Sequence, residues 1–368
     1  MRSKNFWPVV VLSLVIGIAI GGVGTGAFLI EGAGYRPPAV ARVTQSTPTS
    51  PPSTSLPTRP TGPSARSAPS IAFDAATGKM VLFGGYVTRG NYHEFGDFVS
   101  DTWTWDGAGW TSVPTASGPV ERTQAAMAYD SARRVVVLRE GTETWSFDGT
   151  RWLLLSPKQS PPDPGFIEPM YWDSRQKVVV LLSGAPIQAA FATSSGPLNH
   201  VWTWDGSGWT QSASPNLAPD APPQFPPGGG SYAHAGLAEA AYDPARNVTV
   251  YFQHAGGVAA TWTFDGVTWD EISTTTGSAS VFFALAADDA RSEVVMFGEN
   301  GDTWTWGGSI WTPRNPAHSP PPRREAAMAY DPVHRVVVLF GGHAGSAANL
   351  HEFNDTWAWN GSDWTQLA

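Results

Sequence analysis

The sequence predicts an all-β protein: six four-stranded antiparallel sheets set radially round an axis as a six-bladed β-propeller, carried behind an N-terminal membrane anchor. Three recurrent pieces predict it. The first is Asp101-Thr-Trp-Thr-Trp-Asp-Gly-Ala-Gly-Trp-Thr111, with counterparts at Glu143–Trp152, His200–Thr210, Thr261–Trp269, Asp302–Thr312 and Asp355–Thr365. Of the 18 tryptophans, all but Trp7 and Trp172 lie in these copies, so tryptophan here is an architectural residue. The second is a small-residue run closed by an aromatic and Asp, clearest in Ala125-Ala-Met-Ala-Tyr-Asp130 and Ala326-Ala-Met-Ala-Tyr-Asp331. The third is a β-branched run closed by glycine, as in Met80-Val-Leu-Phe-Gly-Gly85 and Val336-Val-Val-Leu-Phe-Gly-Gly342.

The elements follow in chain order. Residues 1–5 carry Arg2 and Lys4 and read as a cytoplasmic n-region. Residues 6–30 form an uncharged, largely apolar stretch long enough to span a bilayer, longer than the apolar core of a cleaved signal peptide. They are expected to be an uncleaved signal-anchor that leaves the N-terminus inside and the remainder extracytoplasmic, the alternative being secretion after cleavage. Gly17, Gly21, Gly22 and Gly26 have the spacing of a weak helix-pairing face, which ordinary small residues in a span also produce. Residues 31–65 hold a Pro/Ser/Thr tract, Pro37 to Pro63, with almost no apolar content to bury, expected to be a disordered, extended stalk.

The propeller is expected over residues 66–368, with repeats at about 66–111, 122–153, 165–210, 235–270, 280–312 and 323–367. Asp74, Asp130, Asp173, Asp243, Asp288 and Asp331 mark the phase, and their spacings of 56, 43, 70, 45 and 43 place the largest insertion between repeats 3 and 4. In each repeat the small-residue run suits a crowded inner strand, and the valine run suits a strand covered on both faces. The alternating Thr-Trp run is a third strand. Asp106-Gly107 and its counterparts supply a positive-φ hairpin into a short fourth strand that opens with tryptophan.

With these residues in view, the pattern of Arg, small hydrophobic strand, Gly-Gly, aromatic and Trp resembles the kelch repeat. Repeats 1 and 6 match best, through Arg66 or Arg324, Gly84-Gly85 or Gly341-Gly342, Trp105 or Trp359, and Trp110 or Trp364. Repeats 2 to 5 depart at the glycine pair. The resemblance implies a six-bladed kelch-type propeller with the central-domain architecture of galactose oxidase. It does not carry over that enzyme's copper chemistry, which needs a Tyr–Cys cofactor, because the chain has no cysteine.

Composition narrows the function. A net charge of −9 without a basic stripe argues against nucleic acid as a partner. Thr104-Trp-Asp106-Gly107 fails the sialidase-type box, and serine-hydrolase, zincin and phosphate-loop motifs do not occur. No cofactor is expected. The expected role is a binding module that recognises a protein or an envelope glycan, the alternative being a glycoside hydrolase or lyase with Glu140 and Glu299 as its acids.

The loops between second and third strands and the links between repeats share one face and vary most in length, so that face is expected to carry function. Its candidate ligand-binding residues are Arg66, Arg122 and Arg324, which open first strands, and Arg139, Glu140, His254 and Glu299, which sit near degenerate glycine positions. The resemblance implies that such arginines stand at the channel mouth, where guanidinium groups either hold a ligand carboxylate or tie blades together through carbonyls. His93-Glu94-Phe95 recurs as His351-Glu352-Phe353, in repeats that become neighbours when the ring closes. His93, Glu94, His351 and Glu352 are therefore either a metal site or simply a loop shared by the two most similar repeats.

Overall fold

The computed structural model describes residues 62–87, 97–120, 125–162, 168–183, 200–213, 238–255, 258–273, 283–345 and 349–367. The expected anchor and most of the expected stalk lie outside them, as do His93, Glu94 and Arg122. Among the described residues no helix is long and apolar enough to cross a membrane.

The chain forms six four-stranded antiparallel sheets, each made from consecutive repeat strands. Blade 1 comprises Ser70–Asp74, Lys79–Phe83, Thr102–Trp105 and Trp110–Val113. Blade 2 comprises Ala126–Asp130, Val135–Glu140, Glu143–Phe147 and Trp152–Leu155. Blade 3 comprises Met170–Asp173, Val178–Ser183, His200–Trp204 and Trp209–Ala213. Blade 4 comprises Ala238–Asp243, Val248–Ala255, Val258–Phe264 and Trp269–Ser273. Blade 5 comprises Phe283–Asp288, Glu293–Gly298, Thr303–Trp306 and Trp311–Arg314. Blade 6 comprises Ala327–Asp331, Val336–Phe340, Thr356–Trp359 and Trp364–Gln366. Two short ribbons, Tyr86–Val87 with Asp97–Phe98 and His343–Ala344 with His351–Glu352, extend blades 1 and 6 on the loop-bearing face.

The six inner strands contact one another in a closed circuit that includes blade 6 against blade 1, so the array is a six-bladed β-propeller. No strand is exchanged at closure, and every blade is complete in itself. The core is accordingly distributed. It consists of six apolar clusters, and each joins residues of two adjacent blades. Buried valine strands fill both faces of each sheet, as the unalternating sequence requires.

At these seams the fourth-strand tryptophan is the repeated feature. Its indole N–H donates to the hydroxyl of the threonine that precedes the third-strand tryptophan in the preceding blade. Trp110 bonds Thr356 at 2.8 Å, Trp152 bonds Thr102 at 2.8 Å, and Trp209 bonds Thr144 at 2.8 Å. Trp311 bonds Thr261 at 2.9 Å and Trp364 bonds Thr303 at 2.9 Å. The Trp110–Thr356 bond closes the ring. In four seams the same indole also meets a phenylalanine edge-on: Phe340, Phe83, Phe252 and Phe297, with centroids 5.1–5.7 Å apart.

The seam between blades 3 and 4 breaks the rule. Val201 stands where the other third strands have threonine, and the buried Trp269 Nε1 finds no acceptor among the described residues. Tyr251, where other blades have leucine or methionine, packs edge-on against Trp269 and leaves its own buried hydroxyl without a partner there. An indole N–H buried without an acceptor costs about 1–3 kcal/mol.

On the opposite face every turn is short and locked. The phase-marking aspartates cap their turns: Asp130, Asp173, Asp243 and Asp331 each accept backbone N–H groups from the residues two and three ahead. Side chains from these turns then lie over the hairpin glycines of the next blade, Arg133 over Gly206, Arg246 over Gly308, Arg291 over Gly361 and His334 over Gly107. These glycines have φ between 92° and 107°, and a Cβ on any of them would strike the overlying side chain.

Val201→Thr supplies the missing acceptor in an almost isosteric side chain. It is expected to stabilise the protein by about 1 kcal/mol, read as a higher unfolding midpoint in urea with an unchanged slope. A neutral or lower midpoint would contradict this reading of the seam.

Candidate functional site at the loop-bearing face

On the loop-bearing face the second strands end beside the short segments that precede the first strands. In blades 1 and 6 those segments lie directly on the glycine pair. A Cβ on Gly85 would sit 2.7 Å from the Ser67 carbonyl oxygen, and one on Gly342 would sit 2.5 Å from that of Arg324. Ser67 pairs with Tyr86, and Arg324 pairs with His343. Glycine is required here by backbone approach and by its positive φ.

Arg66 is buried and committed to structure. It donates to the Gly84 carbonyl at 3.0 Å and forks onto Asp101 at 2.5 and 2.9 Å. Its counterpart in blade 6 is Arg323 rather than Arg324. Arg323 donates to the Gly341 carbonyl at 3.1 Å, forks onto Asp355 at 2.5 and 3.0 Å, and stacks over the Phe353 ring at 3.9 Å. The expected register of Arg324 with Arg66 is therefore corrected by one residue. Counting back from the phase-marking Asp74 and Asp331 would have found it, since Arg66 and Arg323 stand at the same distance from them.

Burial pushes the Asp101 and Asp355 carboxyls up. The hydrogen bonds and charge of their arginines, with an indole N–H from Trp103 or Trp357, outweigh burial and hold both below the usual 3.8. These acids open the Asp-x-Trp runs, and Asp302 likewise accepts from Trp304.

Arg324 is half exposed and pairs with Glu299 at 2.5 Å, on the rim between blades 5 and 6. Arg139 is buried, paired with Glu168, and donates to the carbonyls of Pro161 and Pro162 at 3.1 and 2.6 Å. Register places Arg139 where blades 1 and 6 have Phe83 and Phe340, so it replaces an aromatic rather than a glycine. Glu140 follows it at the glycine position and is buried. His254 lies in the second strand of blade 4, but its side chain is outside the described residues.

Blade 4 contributes Glu239 on its inner strand, opposite Phe252. Burial pushes its carboxyl up to about 8, which keeps it largely neutral at pH 7. Nearby, the buried Gln253 Oε1 has no partner among the described residues.

Of the His-Glu-Phe motif, Phe353 is structural: its carbonyl accepts the Arg66 N–H at 3.1 Å, and its ring carries Arg323. The exposed His351 ring packs edge-on to Phe353 at 4.7 Å. Glu352 accepts the Ser67 hydroxyl at 3.4 Å. Among the described residues no group of three or more His, Asp and Glu side chains has the arrangement of a metal site.

The sequence reading missed the partly buried cluster beside that motif. The Ser67 hydroxyl lies 3.0 Å from His343 Nδ1, and the Tyr86 hydroxyl donates to Glu325 at 2.6 Å. Glu325 approaches the same His343 Nδ1 at 3.5 Å. A serine nucleophile needs its base and its orienting acid on opposite ring nitrogens. Here the serine and the acid share one nitrogen, and Ser67 is buried, so the arrangement is not that of a hydrolytic triad.

No protein-family model matches the chain, and no curated protein matches it significantly. Several solved structures superpose on the chain. A mutant of the Aleuria aurantia lectin in complex with α-methyl-L-fucoside superposes with TM-score 0.50 at 14% identity, over 83% of this chain and 96% of that one. The SapL1 lectin in complex with α-methyl fucoside gives TM-score 0.49 at 13% identity, over 82% and 95%. A fungal alcohol oxidase of the AA5 family in complex with copper gives TM-score 0.45 at 12% identity, over 79% and 74%. At these identities the likeness is one of fold.

The corrected register makes opposite predictions for adjacent arginines. Arg323→Met leaves Asp355 charged and unpaired and is expected to cost about 3 kcal/mol or more. Arg324→Ala, at the rim, is expected to cost under about 1 kcal/mol. The Asp355 contribution is present above pH 3.8 and lost as pH falls through its depressed value, so the gap between Arg323→Met and wild type narrows in acid. Equal costs in chemical denaturation would overturn the assignment.

Proposed function

We propose that the chain is a membrane-tethered, extracytoplasmic glycan-binding module of the kelch-repeat type, which uses the mouth of its loop-bearing face. Residues 6–30 would anchor it and residues 31–65 would hold the propeller off the membrane. The kelch reading rests on the Arg, Gly-Gly, Trp and Trp positions of blades 1 and 6.

The observation that carries the functional reading is the division of labour between the two faces. One is closed all round by capped turns, with side chains laid over hairpin glycines. The other holds the variable links and the charged groups that depart from the repeat. On its rim, Arg324 and Glu299 set five-donor and acceptor-only groups side by side with no net charge. A neutral hydroxylated ligand, whose groups both donate and accept, suits such a pair better than a charged one does. The Aleuria aurantia lectin that superposes on the chain is described with α-methyl-L-fucoside, which is in keeping with this reading.

The test is capture of envelope extract by the full-length chain in detergent, with and without protease treatment of the extract. Carbohydrate retained after proteolysis is expected, with affinity reduced about tenfold or more in Arg324→Ala and Glu299→Gln, the loss of one charge-assisted hydrogen bond. Retention abolished by protease would replace the glycan with a protein partner. Turnover of bound polysaccharide, lost in Glu140→Gln or Glu299→Gln, would support the hydrolase reading instead.

A further inference from the structure

Closure of the ring brings together a partly buried titratable cluster from the two ends of the propeller. Ser67 and Tyr86 come from blade 1, and Glu325, His343 and Glu352 come from blade 6. The backbone at this point is shared between the blades. Ala68 N–H donates to the Glu325 carbonyl at 2.9 Å, Gly342 N–H to the Arg66 carbonyl at 2.9 Å, and Arg66 N–H to the Phe353 carbonyl at 3.1 Å. Ala68 and Glu325 both hold positive φ, 50° and 55°, without being glycine. The two stand at the same place in their repeats, six residues before Asp74 and Asp331.

We propose that the seam between blades 6 and 1 is a proton-operated latch, in which a proton retained among Glu325, Glu352 and His343 holds the two ends of the propeller together. Among the described residues the groups that face Glu325 are the Tyr86 hydroxyl, the His343 ring, Glu352 and, along its own segment, Arg324, which is itself paired with Glu299. Among the described residues, with every proton lost, two carboxylates face one neutral imidazole across a partly buried seam. A single retained proton removes one of the two like charges or, placed on His343, sets an imidazolium beside the Glu325 carboxylate 3.5 Å from its Nδ1.

Burial raises the Glu325 carboxyl above its ordinary 4.5, and the Glu352 charge adds to this; the Tyr86 hydrogen bond and Arg324 oppose it without cancelling it. A carboxyl raised on folding stabilises the closed seam most fully below 4.5. That contribution is lost as pH rises through the raised value. The latch therefore closes in acid and loosens toward alkaline pH. This is opposite in sign to the Arg323–Asp355 pair.

The test is amide hydrogen exchange on the full-length chain between about pH 5 and about pH 8, with each rate divided by its intrinsic chemical rate. Protection of the Ala68 and Gly342 amides is expected to fall as pH rises, by up to about tenfold for each unit by which the carboxyl is raised. The Leu182 amide, bonded to the Pro169 carbonyl inside blade 3, is expected to keep its protection. Glu325→Gln should remove the pH dependence at Ala68 and Gly342. Tyr86→Phe removes a bond that favours the ionised form and should move the loss to higher pH. The latch is refuted if Glu325→Gln responds to pH as wild type does, or if Leu182 loosens in parallel. Should Glu325→Gln fail to fold, an unmoved or lowered midpoint in Tyr86→Phe refutes it.

Discussion

An indole N–H that reaches across a seam to a neighbour's threonine hydroxyl is the contact on which the rest of this propeller depends. A four-stranded sheet with valine on both faces cannot survive in water, so each blade must be covered twice, and a ring is the arrangement that does this for all six at once. Apolar burial drives that association, but it is non-directional and does not set how far one blade slides along the next. The tryptophan does. It is large enough to fill the wedge between outer strands, and its single donor must find an acceptor when buried. Thr102, Thr144, Thr261, Thr303 and Thr356 supply that acceptor at the same place in five seams.

The same constraint explains where the molecule is free to vary. The turns on one face belong to the seams, since their side chains lie over the glycines of the next blade, and an insertion there would push neighbouring blades apart. Among the described residues the other face carries no such row of turn side chains laid over hairpin glycines. Its links lengthen without loss of core, and the second-strand ends acquire groups such as Arg139, Glu140 and Glu299 that the repeat does not require. Blades 3 and 4 carry this furthest. Their seam has Val201 for threonine, Leu182 for phenylalanine and Tyr251 for leucine, and the longest insertion in the chain lies between them.

The strands, their order and the blade count were legible because each rests on a local signal repeated many times. Alternation in Thr-Trp-Thr-Trp, unalternated valine and an Asp-Gly turn each determine local geometry wherever they occur. Roles that depend on distance rather than residue type were harder. Arg323 and Arg324 are adjacent and chemically alike, and only their separation from Asp331 says which is buried on Asp355 and which faces the rim. Arg139 looked like a relaxed glycine position because the run before it ends without an aromatic; it is the aromatic that it replaces. The Ser67, Tyr86, Glu325, His343 and Glu352 cluster had no sequence signal, because its members lie at opposite ends of the propeller and meet only through closure.

The account can be put to its most direct test at the seam between blades 5 and 6, where Trp364 donates to Thr303. A double-mutant cycle with Thr303→Val and Trp364→Phe isolates the contribution of that bond from the packing each residue provides. A favourable coupling of about 1 kcal/mol is predicted. Coupling indistinguishable from zero, with each single variant losing only what its lost volume explains, would mean that packing sets the blade register and the indole–threonine bond merely accompanies it.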